Sequence, residues 1–183
     1  EVVLDSSNPS VRLAQAGQEA TLLALKLTAT NESIDLRQIN FKLSNTASNT
    51  PADLVKFTLW DGWLKVGEIV ATSSDTGLTG SVTGFIVPVN SDKVLTVKGQ
   101  LAPIGINEAG KSGHLVTVDY DNVLADTGLN ITYGVGTGSG TTVRTTSADT
   151  AANGVRVLRS YPTVAALSLP TQTLSNGTGK VVY

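Results

Sequence analysis

The sequence predicts an all-β fold, an Ig-like sandwich of two antiparallel sheets in Greek-key order. Three observations carry that expectation. Apolar and polar residues alternate with period 2 in most segments, as half-buried strands require. Turn residues punctuate the chain every 8–12 residues or so, the spacing of a small sandwich. The composition is rich in Val, Thr, Ser, Asn and Gly, with only 15% charged residues, and Val and Thr favour pleated, half-buried surfaces.

The first elements are short. Residues 1–4 are extended and apolar, and Asp5-Ser6-Ser7-Asn8-Pro9 breaks them. Residues 10–15 form a short strand ending at Ala16-Gly17. Residues 20–28 carry enough Ala and Leu for a helix. Leu23, Leu25 and Leu27 nevertheless alternate with Ala24 and Lys26, and no helix cap precedes them, so a strand is expected. Ile39, Phe41 and Leu43 alternate after a break near Arg37-Gln38.

The centre of the chain, residues 54–101, reads as a β-meander. Val55, Phe57 and Leu59 fall on one side and Lys56 and Thr58 on the other. Asp61-Gly62 is a dipeptide suited to a tight hairpin turn, which would set Trp60 and Trp63 directly across from each other. A return strand over residues 64–70, a Ser/Thr/Gly loop, and a strand with Leu95, Val97 and Gly99 on one face complete it. Beyond it, residues 114–120 (HLVTVDY) alternate again, residues 131–135 are weakly strand-like, and residues 134–140 are a glycine-dense loop. Residues 147–152 suit a single helical turn, and residues 155–158 a last short strand.

The domain is expected to span residues 1–158. Ser160-Tyr161-Pro162-Thr163-Val164 echoes Ser7-Asn8-Pro9-Ser10-Val11, so residues 159–183 read as the start of a second repeat or an extended donor tail.

Several classes of function are disfavoured. The net charge of −2 and the pI near 5.3 give no basic footprint for nucleic acid, and 5% aromatic residues are too few for base stacking. The absence of Cys excludes a disulfide framework, a thiolate metal site and a Cys nucleophile. No apolar run approaches the roughly 20 residues of a membrane span. A chain that starts at Glu1 and contains no Met suggests a processed N-terminus or a fragment of a longer chain, and it reads as an exported, extracellular protein whose signal peptide has been removed.

Few motifs carry chemistry. Residues 105–112 (GINEAGKS) satisfy the phosphate-loop pattern, but Pro103 precedes them and a β pattern follows, where the mechanism needs a strand before and a helix after. His114 is the only His, with Ser112 close by, yet no nucleophile elbow is present and the His starts a strand. No catalytic residue is therefore expected. Asp119, Asp121, Asn122 and Asp126 cluster at a strand end, and grouped oxygen ligands of this kind suit Ca²⁺. Solvated turn carboxylates are the plainer reading, and no other cofactor is expected. Trp60 and Trp63, if exposed, would suit stacking on sugars or anchoring a partner. Asn31, Asn130 and Asn176 begin glycosylation sequons.

The opening Ser-x-Pro-[Ser/Thr]-Val, the strand ending in Asp-Gly (VKFTLWDG), the next strand (WLKVGE) and the later DKVLTVKG carry a resemblance. Together they resemble the Ig-like β-sandwich repeats of large cell-surface and S-layer-like proteins of bacteria, including uncultivated lineages. The similarity covers most of residues 7–126 and restarts at Ser160. It implies an extracellular structural module, partnered by copies of itself or by neighbouring repeats, and carries over no catalytic residue. Val2, Val3 and Leu4 at one end and Val181, Val182 and Tyr183 at the other look extended and unpaired. They are the expected assembly strands, joining subunits by edge addition into a filament or surface layer. The alternative is an adhesive module that holds surface glycans through Trp60 and Trp63.

Overall fold

The computed structural model describes residues 1–43, 50–71, 76–122 and 131–167. They fold into an all-β, sandwich-like structure whose only helical element is one 3-10 turn, Pro51–Asp53. The strands are β1 (Val2–Leu4), β2 (Arg12–Gln15), β3 (Glu19–Ala29), β4 (Ile34–Leu43), β5 (Leu54–Asp61), β6 (Leu64–Val70) and β7 (Leu78–Val87). They continue as β8 (Ser91–Leu101), β9 (Leu115–Val116), β10 (Val118–Tyr120), β11 (Tyr133–Gly136), β12 (Thr142–Arg144) and β13 (Val155–Leu158).

Ten strands make one sheet in the order β1-β3-β8-β5-β6-β7-β4-β11-β12, with β10 also on β4. Among the described residues its two halves join only where Gly67 pairs with Val82, so the sheet curls back over itself. The core fills the space between: Leu23, Leu25, Phe57, Leu59, Leu95 and Val97 from one half, Ile39, Phe41 and Phe85 from the other. A smaller sheet, β2-β13-β9, closes one flank. It departs from the expected pair of antiparallel sheets, because β2 runs parallel to β13.

Two runs of sequence are shared between sheets. Residues 1–15 give β1, antiparallel on β3, and then β2, parallel on β13. The run HLVTVDY, expected as one strand, divides at Thr117 into β9 on β13 and β10 on β4. Polar side chains hold the crossovers: half-buried Asn8 Oδ1 accepts the Ala24 N–H at 3.0 Å, and buried Asp119 Oδ1 accepts the Ala152 N–H at 2.7 Å.

Bulges account for the local departures from alternation. The register of β5 on β8 shifts between Leu54 and Lys56, which buries Leu54 and leaves Val55 exposed. The break read near Arg37 is a bulge between Leu36 and Gln38 against β7. The stretch expected as a Ser/Thr/Gly loop supplies the first half of β7, because Leu78, Gly80 and Val82 turn inward. Residues 147–152 form no helical turn; Thr150 instead bridges to Tyr120.

Candidate functional site

The terminal strand β1 corrects the first expectation. Val2, Val3 and Leu4 are paired within their own chain, opposite Leu27, Lys26 and Leu25. The Glu1 ammonium and carbonyl bond Thr28 at 2.9 Å each, the Val2 N–H donates to Ser147 Oγ at 2.7 Å, and Val2 is 3% exposed. A Val at an inward position of an edge strand gains more from its own core than from staying free. Val181, Val182 and Tyr183 lie outside the described residues.

Glu1 and the end of the last strand lie at opposite poles. Glu1 is fixed beside Thr28, at the end of β3. The last strand, β13, finishes beside the start of β3: Ala16 N–H bonds Leu158 O at 2.9 Å, and the Leu101 N–H bonds Gln18 O at 3.0 Å. Nine residue steps along extended β3 separate Glu19 from Thr28, about 30 Å at the rise of a strand. After Leu158 the chain carries no strand through residue 167, and Val164 is 96% exposed. At the N-terminal pole a cleft of about 280 Å³ opens between the sheet halves, lined by Leu27, Ala29, Leu36, Val87 and Val143 with Glu1 and Arg144 at the rim.

The C-terminal pole is tied by a contact that sequence reading missed. His114 Nδ1 lies 2.7 Å from Asp53 Oδ2, and the other Asp53 oxygen accepts the Lys111 N–H at 3.2 Å. Asp53 is 2% exposed. The Thr50-Pro51 cap sets the 3-10 turn that presents it. An Asp–His pair is also part of a hydrolytic triad, but no hydroxyl among the described residues is bonded to this ring. The pair joins the loop after β8 to the start of β5. Residues 105–112 belong to that irregular loop, with no helix after it, as the phosphate-binding mechanism would need.

The acidic cluster is built around a lysine. Lys42 Nζ reaches Asp121 Oδ1 at 3.2 Å and also bonds Asp149 Oδ2. Fully buried Asn40 donates to the Asp121 carbonyl and carboxylate at 3.3 and 3.2 Å, and Asp149 accepts the Asn122 N–H at 2.8 Å. The Asp149 bond, opposed by partial burial and aided by Asp121, holds the Lys42 ammonium above its ordinary range. Partial burial works to raise the Asp149 carboxyl, but Lys42 and the Asn122 N–H outweigh it and hold it below. Asp119 faces Ala152 instead, and Asp126 lies outside the described residues. Among the described residues no three acidic, His or Cys side chains converge on a metal position. Lys42 and Asp149 were not singled out in the sequence, because nothing local pairs residues this far apart.

The two tryptophans do not pair. Asp61 sits opposite Leu64, so Gly62 and Trp63 are the two turn residues, and Gly62 has the positive φ (+59°) that the first position of a primed hairpin turn accepts. Trp60 lies opposite Lys65, donates from Nε1 to Thr58 Oγ1 at 2.9 Å, and has the Lys98 ammonium 4.2 Å over its ring. Trp63 is 90% exposed.

Comparison with protein-family models, curated proteins and solved structures finds no match. No helix among the described residues is long and apolar enough to cross a membrane.

Proposed function

We propose that this chain is a non-enzymatic structural module of an extracellular assembly, a link in a surface filament or layer. The observation that carries the reading is the placement of Glu1 and Leu158 at opposite poles of β3. Flanking chain attached there leaves in opposite directions, so copies or neighbouring repeats add end to end. The Ig-like character is supported by the divided first strand, antiparallel on β3 and then parallel on β13. Because β1 is paired at home, with Val2 in the core, end-to-end linkage is favoured over exchange of that strand.

Immunogold electron microscopy of source cells, with antibody raised to this chain, tests the reading. Label on external fibres or a surface layer is the expected result; label confined to the cell interior overturns it.

A second reading, an adhesive module for surface glycans, has one observation in its favour, the exposed ring of Trp63. It predicts glycan-array binding that Trp63→Ala abolishes. Trp60 contributes less to it, since Lys98 covers its face.

A further inference from the structure

We propose that β2 and β13 form a mechanical clamp, so that the module resists tension applied between its poles. The proposal deepens the reading of the chain as a link, and rests on three features together.

First, tension enters at Glu1 and leaves past Leu158, at opposite ends of β3. Second, the strands next to those points lie along the line of force. The β1 strand runs inward from the N-terminal pole against β3, and β13 runs outward to the C-terminal pole. Third, β2 continues from β1 and pairs in parallel with β13 over Arg12–Val155 to Gln15–Leu158. A pull on Glu1 draws β2 toward one pole while a pull beyond Leu158 draws β13 toward the other.

The hydrogen bonds of a parallel pair are evenly spaced and slant across the gap between the strands. Opposite pulls on two parallel neighbours therefore strain the whole ladder together, and no bond can fail alone. An antiparallel pair pulled from one end would open bond by bond instead. Side chains brace the clamp outside the ladder. Arg12 Nη2 donates to Thr21 O at 3.0 Å, and Asn153 Nδ2 donates to Pro9 O at 2.9 Å. On its other edge β13 is gripped by the β9 side, where Val157 N–H bonds His114 O at 2.8 Å and Gly113 N–H bonds Val157 O at 2.7 Å. The Asp53–His114 contact anchors that edge to the large sheet.

The test is force spectroscopy on the full chain, pulled through its two ends between reference domains. Forced unfolding reports the barrier, not the equilibrium. Since Ala16 N–H bonds Leu158 O, alternation turns Ala14 toward β13 and Leu13 away from it. Ala14→Pro is expected to lower the unfolding force, and Leu13→Pro to leave it unchanged. A second measurement needs no ladder variant. The chain has no Cys, so Trp63→Cys supplies a unique handle. Pulling between residue 1 and that handle leaves β13 unloaded and should unfold the module at a lower force than end-to-end pulling. Equal forces in the two pulling directions overturn the clamp, as does a folded Ala14→Pro variant that matches Leu13→Pro. Either failure leaves the link reading standing, and interior labelling of cells would leave the clamp standing.

Discussion

In the large sheet β3 and β8 pair over nearly their whole eleven-residue lengths, and both lay apolar faces into one core. In the small sheet β2 and β13 pair over four residues and β9 adds two. The large sheet is held mainly by burial, which is non-directional and scales with area. The small one adds only Ala14, Val116, Val155 and Val157 to the core and relies on directed bonds. The contrast separates two properties that are easily confused. Burial in the curled sheet governs the folding equilibrium, whereas the short parallel ladder stands where load would pass in the proposed clamp.

The largest expected effect comes from breaking the large sheet. Phe57→Ala removes a fully buried ring and should cost about 3–5 kcal/mol, whereas Val157→Ala in the small sheet should cost about 2 kcal/mol. Urea denaturation of both variants checks this, and equal losses would erase the distinction drawn between the sheets.

Next is a pH effect at Tyr120, which lies fully buried on β10 where the large sheet meets the shared run. Burial pushes its phenol up to about 12, above the ordinary 10.0. Below about pH 10 the phenol is neutral in both states and stability is fully present. As pH rises toward 12 the unfolded chain ionises first, so stability falls by about 3 kcal/mol. Denaturation series at pH 9 and 11.5 should show the fall, and Tyr120→Phe should lessen it.

The smallest effect is at the hairpin tip. Trp63→Ala should change stability by no more than about 0.5 kcal/mol, because the ring packs on almost nothing. A larger loss by thermal melting would mean that the tip supports the sheet.

Much of the large sheet was legible in the sequence. Leu23, Leu25, Phe57, Leu59, Leu95 and Val97 alternate because each sits on a face with one dry side, and the reading of residues 20–28 as strand follows from that. Val55 was misplaced because a bulge reverses the alternation locally, and a bulge leaves no period of its own. The start of β7 was hidden by its Thr, Gly and Ser content, since Gly80 faces inward without any apolar signature. The tryptophan pair failed by one residue of turn register. The polar joints were illegible for a different reason. Asp53–His114 and Lys42–Asp149 link residues 61 and 107 positions apart, and only the tertiary fold brings them together.

Lys42 sets one further property of the molecule. Where several carboxylates gather on a surface module, a dissolved cation is one common way to reconcile them, and the shape then follows the ion content of the surroundings. Here an ammonium joined to β4 by its own side chain answers Asp121 and Asp149, so the counter-charge cannot be diluted, chelated or exchanged. The junction of β4, β10 and the segment around Asp149 thus carries its own positive charge, which a chelating buffer leaves in place and which salt weakens only by screening, since Lys42 and Asp149 are partly exposed.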